Sequence, residues 1–373
     1  MPEPTEHQLK AASRVIHKWM RKGNMSRALR DVLPVSKLNP QERQGAADLI
    51  HAVVRYWRWY TYVLEKLGRQ QTPEEYLALA MGKTPFDGPA LEAQLDEFQK
   101  VAIRQSFSDE AAEALNHGFT ELADYLNQEP QKALCTNLIK GDRDAVLALL
   151  KMENINGTPG ILDLTVIADD NARYSKAVQE GYAHVQDESS QLVSRIASSL
   201  GKDILDYCAG SGGKTLAIAS ITKGGAKLTA HDKDTKKLSV LRDRAKKHGA
   251  NVEIMSSDPA REFDVVLVDA PCSGLGASRR NPEAKFMTEP ERFPAIQGGI
   301  LQGVSGMVKK GGFLIYSVCT FLPDETENLM REFMKLGTFT MEDPKPYGLP
   351  ESGLTHTVLP GGDVLYVAVL KKN

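Results

Sequence analysis

The chain has 373 residues, of which 42% are hydrophobic and 25% charged, which predicts two or three domains with enough apolar sequence to bury a core. A net charge of -2 and an isoelectric point near 6.5 exclude a broadly basic nucleic-acid binder, so any phosphate-binding surface has to be a local patch. Four scattered cysteines, Cys135, Cys208, Cys272 and Cys319, with no CxxC pair, exclude a disulfide scaffold and give no zinc pattern, so no metal is expected and a reducing, cytoplasmic setting is. The acidic start, Met1 to Glu6, has no apolar core of a signal peptide, and no run approaches the roughly 18 to 20 apolar residues of a membrane span.

From Glu6 to about Gln128 the apolar spacing is helical, and residues 1–128 are predicted as an all-α domain. Ala46, Leu49, Ile50, Val53, Val54, Trp57 and Leu64 fall on one face of a long helix. Within it, Arg55-Tyr56-Trp57-Arg58-Trp59-Tyr60 interleaves cations with rings, the chemistry that pairs with phosphates and stacks on bases. The plainer reading packs the rings between helices and leaves the arginines solvated. It is the stronger one for Trp57, while Arg55 and Arg58 stay open between the two.

Residues 129–186 read as a small α/β module: a strand from Leu134 to Ile139, a helix from Arg143 to Lys151, a turn at 157–160 and a strand from Ile161 to Val166. Cys135 lies in its first strand, where a thiol behaves as a small hydrophobe. Residues 187–373 alternate strands (203–206, 227–230, 252–255, 263–268, 312–317, 363–370) with helices (191–200, 215–221, 234–248, 296–308, 324–336). That alternation predicts an α/β, doubly wound parallel sheet of the Rossmann-like kind.

In such sheets chemistry sits beyond the carboxyl ends of the strands. Asp206-Tyr-Cys-Ala-Gly-Ser-Gly-Gly-Lys-Thr215 occupies a strand-to-helix turn there. It is no P-loop, because GxxxxGK[ST] requires glycine where Cys208 stands, and no GxGxxG, because the third glycine falls on Thr215. An acidic strand end before a glycine turn suits a ligand with a neutral or cationic centre. Asp232, ending the next strand, is placed for two ribose hydroxyls, and Asp258 for an adenine amine or a turn cap. Together they point to S-adenosylmethionine, held by Asp206, Cys208, Ala209, Gly210, Ser211, Gly212, Gly213, Lys214, Asp232, Asp258 and Asp269, with Cys208 as packing under the ligand. Two further apolar runs end in Asp269-Ala-Pro-Cys272-Ser-Gly and Tyr316-Ser-Val-Cys319-Thr, so Asp269, Cys272 and Cys319 are expected to converge.

These segments, with Val185 to Gln191, Arg279-Arg280-Asn-Pro-Glu-Ala-Lys285 and Glu325-Thr-Glu-Asn328, make the second half resemble the Fmu/Sun family of RNA cytosine-5 methyltransferases. The first 128 residues are similar to the family's NusB-like RNA-binding domain and the module to its RRM-like linker. Two positions depart from the family's pattern: Cys135 replaces a basic residue, and Pro259 follows Asp258.

The resemblance implies a fold of three parts and a covalent mechanism. Carbon 5 of cytosine is a poor nucleophile until a thiolate adds at carbon 6. The DNA enzymes use the cysteine of a Pro-Cys pair, which would nominate Cys272; the family resemblance assigns attack to Cys319, leaves Cys272 to assist release, and puts Asp269 near ring nitrogen 3. Lys214, Arg279, Arg280 and Lys285, with Arg55 and Arg58, are expected on RNA, ribosomal ahead of transfer, and a monomer is expected. A non-catalytic RNA-binding or ribosome-assembly factor on the same fold is the alternative.

Overall fold

The computed structural model describes residues 3–23, 25–116, 120–286, 290–343, 346, 356–359 and 361–373. The chain divides into two compact units, residues 1–128 with 277–288, and residues 129–276 with 289–373. The module expected over 129–186 is part of the second unit.

The first unit is helical: α1 (Glu6–Lys22), α2 (Met25–Val32), α3 (Pro40–Arg55), α4 (Trp57–Lys66), α5 (Pro73–Ala80), α6 (Gly88–Glu92), α7 (Glu97–Gln99), α8 (Asp109–Asn116) and α9 (Thr120–Asn127). Thr5 and Asn39 start α1 and α3 with reciprocal capping boxes, which satisfy amide groups the first turn leaves open. Ala12, Val15 and Ile16 of α1 and Ile50, Val53 and Val54 of α3 form its core, all fully buried.

The single long helix expected across Ala46 to Leu64 is instead two. Tyr56, at φ -119° and ψ 31°, interrupts it. Beyond the break Trp57 stacks on Tyr76 at 3.8 Å and meets Trp19 edge-on at 4.8 Å, so aromatic packing outweighs one turn of regular ladder.

The basic loop 277–286 packs within this unit. Lys285, fully buried, donates to the carbonyls of Arg55 (3.0 Å) and Gln105 (2.9 Å) and to Asn127 Oδ1, with its amine 4.4 Å from the Phe107 ring centre. Burial, and then the Arg55 charge, hold that amine well below the usual lysine range. The Arg55 guanidinium donates to the Arg279 carbonyl at 2.9 Å and the Gln128 carbonyl at 3.2 Å. Arg279 lies 4.5 Å over the Tyr125 ring and donates to its hydroxyl.

Arg55, Arg279 and Lys285, expected on phosphates, are 9%, 3% and 0% exposed and engaged within the helical unit. Arg280 is half-buried, and Arg58, partly exposed, pairs with Asp109 at 2.7 Å. Truncating Lys285 removes the donor from the Arg55 carbonyl and from Asn127 Oδ1, while the Gln105 carbonyl keeps the Asn127 amide. Lys285→Ala is expected to lower the unfolding free energy of the helical unit by about 3 kcal/mol, measured as a shifted urea midpoint of the full chain.

The second unit opens with β1 (Ala133–Thr136), α10 (Arg143–Met152), β2 (Gly157–Pro159), β3 (Thr165–Ala168), α11 (Lys176–Gln179) and β4 (Ala183–Val185), an antiparallel sheet in the order β2-β3-β1-β4. The strand expected from Ile161 starts later, because the Thr165 amide turns back onto the Leu162 carbonyl. Cys135 is fully buried.

There follow α12 (Glu188–Leu200), β5 (Asp203–Asp206), α13 (Gly213–Ile221), β6 (Lys227–His231), α14 (Thr235–His248), β7 (Glu253–Met255), β8 (Phe263–Asp269), α15 (Arg292–Ser305), β9 (Val308–Val318), α16 (Glu327–Met334), β10 (Phe339–Met341), β11 (His356–Val358) and β12 (Val364–Lys372). The main sheet runs β10-β12-β9-β8-β5-β6-β7, with β11 paired on β12. β5 to β9 are parallel, and β12 and β10 are antiparallel additions.

Ile204, Leu205, Val265 to Val268 and Leu314 to Tyr316 are fully buried, as strands covered on both faces require. The order reverses between β5 and β8, which opens a crevice at their carboxyl ends.

Candidate active site

β5 delivers Asp206 to that crevice. The following turn needs left-handed backbone at Gly210 (φ +54°) and Gly212 (φ +85°), a conformation glycine adopts without steric cost. A Cβ on Gly212 would strike the Leu241 side chain, whereas nothing lies within 4 Å of one on Gly210. At Gly210, therefore, a ligand can approach bare backbone.

Asp232 braces the turn by accepting the Gly210 amide on Oδ2 at 2.8 Å and the Asp234 amide on Oδ1 at 2.7 Å. The Ala209 amide donates to the His231 carbonyl, and the Ser211 carbonyl accepts from Arg244. Cys208 packs partly buried against the apolar cluster beneath, and burial, then the Asp206 carboxylate, push its thiol upward.

Asp206 accepts from the Thr215 hydroxyl on Oδ2 at 2.6 Å, while its buried Oδ1 has no partner among the described residues. Burial pushes this carboxyl up to about 7 against the pull of the Thr215 hydroxyl, with repulsion from Asp269 and Asp232 adding to it. An orphaned acceptor beside open backbone fits a ligand that brings a cationic donor.

Asp258 is held by two residues that sequence reasoning passed over. The Tyr207 hydroxyl donates to Asp258 Oδ1 at 2.7 Å, and His231 stacks on the Tyr207 ring at 4.4 Å while its Nδ1–H donates to the Tyr207 carbonyl. Asp258 is thereby held by its Oδ1 at the end of the crevice formed by β5 and β6. The available signal was a polar aromatic directly after Asp206 and a histidine directly before Asp232.

The other end of the crevice is built by β8 and β9. Their parallel register sets Asp269 opposite Ser317 and brings Cys272 Sγ to 3.3 Å from Cys319 Sγ, both half-buried. The hydrogen bond to Cys319, followed by burial, raises Cys272 well above the ordinary thiol range. Lys214, from the first turn of α13, pairs with Asp269 Oδ2 at 2.7 Å and is 9% exposed. Burial opposes its charge, but Asp269, and beyond it Cys319 and Asp206, more than offset that and hold it above the usual lysine range. A buried ammonium thus stands at the same strand ends as the two thiols.

Glu325 ties the two cysteine loops together. It is fully buried, and its Oε2 accepts from the Ser273 amide (3.0 Å) and Gln297 (2.8 Å) while its Oε1 accepts from the Thr320 hydroxyl (3.3 Å). Gln297 also donates to the Pro271 carbonyl, and Ser273 Oγ to Thr320 Oγ1 at 2.8 Å. Neither Gln297 nor the role of Glu325 was legible beforehand, because a helix-start acid reads as solvated.

Among the sequence-selected residues, Asp206, Asp232, Asp258, Lys214, Asp269, Cys272 and Cys319 meet at this rim of the second unit. Arg279, Arg280 and Lys285 belong to the helical unit.

The strand order, the acid-glycine turn and the reversed strands define a Rossmann-like methyltransferase fold. Residues 195–371 match the family model described as 16S rRNA methyltransferase RsmB/F. Over 214 residues it is 36% identical to the probable ribosomal RNA small subunit methyltransferase B of Bacillus subtilis (strain 168), a match covering 53% of this chain and 47% of the relative. The chain thus spans about half the length of that relative. The crystal structure of PH0851 superposes with a TM-score of 0.79 at 17% identity over 99% of both chains. NSun6 from Pyrococcus horikoshii with SFG gives 0.60 at 18% over 71% of this chain and 98% of that one. At these identities the two structures speak to the fold. Among the described residues no helix is long and apolar enough to cross a membrane.

Removing the Glu325 carboxylate strands three buried donors. Glu325→Ala is expected to cost about 3 kcal/mol, and Glu325→Gln, which keeps an acceptor oxygen, about 1 kcal/mol; thermal melts of the two variants should rank them in that order.

Proposed function

We propose that this chain methylates carbon 5 of a cytosine in RNA, ribosomal RNA before transfer RNA, with S-adenosylmethionine as methyl donor. The observation that carries the reading is the 3.3 Å thiol pair facing the Lys214–Asp269 pair across strand ends β8 and β9, on a domain that matches the RsmB/F family model.

The proposed ligand contacts follow the geometry. Asp206 would hold the cofactor's ammonium, Asp232 the ribose hydroxyls, and Asp258 the adenine amine, with the Gly210 to Gly213 backbone and Lys214 around the methionine end. S-adenosylmethionine supplies an electrophilic methyl on a sulfonium.

Cys319 is the proposed nucleophile. Its sulfur forms a bond to ring carbon 6 as the carbon 5–carbon 6 double bond opens, and carbon 5, now an enamine carbon, takes the methyl group while S-adenosylhomocysteine leaves with the electron pair of the broken carbon–sulfur bond. A proton passed to ring nitrogen 3 through the Lys214–Asp269 pair would balance the negative charge that addition places there and return when the ring double bond re-forms. A base then removes the carbon 5 proton, the electron pair restores the ring double bond, and the carbon 6–sulfur bond breaks. Cys272 is the group placed to protonate the departing Cys319 sulfur.

The alternative, a non-catalytic RNA-binding or assembly factor, is disfavoured by this fully equipped thiol pair. Incubation with methyl-labelled S-adenosylmethionine and ribosomal RNA, followed by bisulfite sequencing, should place label on cytosine carbon 5. Cys319→Ala is expected to abolish incorporation, and Cys272→Ala to accumulate a covalent protein–RNA adduct on denaturing gels. Adduct formation by Cys319→Ala would reverse the assignment.

Asp206 gives a pH test. With its carboxyl raised to about 7, it is mostly neutral below that pH and cannot pair with an ammonium, so affinity is lost as pH falls through 7. The dissociation constant for S-adenosylhomocysteine, measured by calorimetry, is expected to weaken about tenfold from pH 8 to pH 6, and Asp206→Asn to flatten the profile.

A further inference from the structure

Arg55, Arg279 and Lys285 are buried in the helical unit, which leaves them little surface for a phosphate. The second unit carries a dense exposed charge on α14 and the turn before it. Residues 233–247 hold five lysines and two arginines against two aspartates, a net +5 in a chain of net -2. Lys233, Lys236, Lys237, Arg242, Lys246 and Lys247 are all exposed. Asp234 is occupied as the helix cap, accepting the amides of Lys236 and Lys237.

Helix stability does not account for this charge. Lys246 and Lys247 suit the negative carboxyl end of the helix, but Lys236 and Lys237 sit in its first turn, where the macrodipole opposes cations. Arg242 and Lys246 are a like-charged pair four residues apart, which is destabilising. Nor are these side chains tied up in ion pairs within the described residues; Lys247 donates to the Val178 carbonyl at 3.1 Å.

Both ends of the patch have an address. Lys233 directly follows Asp232, whose carboxylate accepts the Gly210 amide of the glycine turn at 2.8 Å. At the other end Lys247 reaches the Val178 carbonyl of the small module, whose exposed Lys140 donates to the Glu180 carbonyl at 2.6 Å, and the module is locked there by Asn137, which donates to the His248 and Gly181 carbonyls at 2.8 Å each. Lys236 and Lys247 are eleven residues apart, which spans about 16 Å of helix.

We infer that the outer face of α14, continued by Lys140, is a phosphate track for the RNA, running from the rim of the cofactor turn to the small module. This rests on the RNA reading proposed above and names the surface it uses. Lysines that track a backbone contribute charge rather than base recognition, so they set affinity and its salt dependence.

The test compares the full chain with a variant carrying Lys236→Gln, Lys237→Gln, Lys246→Gln and Lys247→Gln, by fluorescence anisotropy with a labelled single-stranded RNA of about 30 nucleotides across about 50 to 300 mM KCl. Affinity is expected to fall by about tenfold or more at the lower salt, and the slope against log salt to shrink by about two. Affinity for S-adenosylhomocysteine and the melting temperature should hold, and a variant with arginine at the same four positions should bind RNA as the parent does. An unchanged RNA affinity and slope would overturn the track, as would loss of binding to phosphatidylserine vesicles with RNA binding intact. A parent that binds RNA in this way yet transfers no methyl group refutes the enzyme reading alone; a parent that methylates, with a variant that binds as well, refutes the track alone.

Discussion

The parallel pairing of β8 with β9 is the constraint from which the rest of the site follows. Its register sets Asp269 against Ser317, so the two loops leaving these strands start side by side, and the cysteines three and two residues further on meet at 3.3 Å. Strand pairing alone does not hold two loops at that spacing. Glu325 does so by accepting from both, through the Ser273 amide and the Thr320 hydroxyl, and the Gly276 amide adds a bond to the Cys319 carbonyl at 2.9 Å. A Cβ at Gly276 would strike the Val364 carbonyl, so the close approach of this loop to β12 depends on glycine.

Electrostatics divides the site into two ends with opposite demands. At the Asp206 end a buried carboxyl with one unpartnered oxygen awaits positive charge. At the cysteine end Lys214 supplies positive charge, kept there against its burial by Asp269. Both groups leave the β5–α13 turn, Asp206 at its start and Lys214 at its end, so a single glycine turn sets the polarity of the crevice. At the cysteine end the hydrogen bond to its partner sulfur and burial raise the Cys272 thiol well above its ordinary range.

Much of the second unit was legible because its strands are covered on both faces. Continuous apolar runs at 204–205, 265–268 and 314–316 can only be buried, and the acids and cysteines directly after them had to fall at strand ends. What escaped was whatever depends on burial of a polar group. Glu325, Gln297 and Lys285 look solvated in one dimension, and only tertiary contacts show that they are 0% exposed. Tyr56 escaped for a related reason: the apolar period runs through it unbroken, while the packing of Trp57 on Tyr76 interrupts the helix. Short edge strands such as β4 and β10 carry too few residues for a period-two signal.

The same limit governs how charge was read. A basic loop and a basic helix are equivalent in composition, yet they have opposite fates here. Two of the loop's cations turn inward, Lys285 onto the carbonyls of Arg55 and Gln105 and the Asn127 side chain, Arg279 onto the Tyr125 hydroxyl, and so they become part of the packing of the helical unit. The cations of α14 remain exposed, and those of its first turn stand against the helix dipole. Unpaired surface charge brings the fold no structural return; a near-neutral chain that concentrates a net +5 between residues 233 and 247, beside its glycine turn, has there the local potential that a polyanion requires, whatever its net charge.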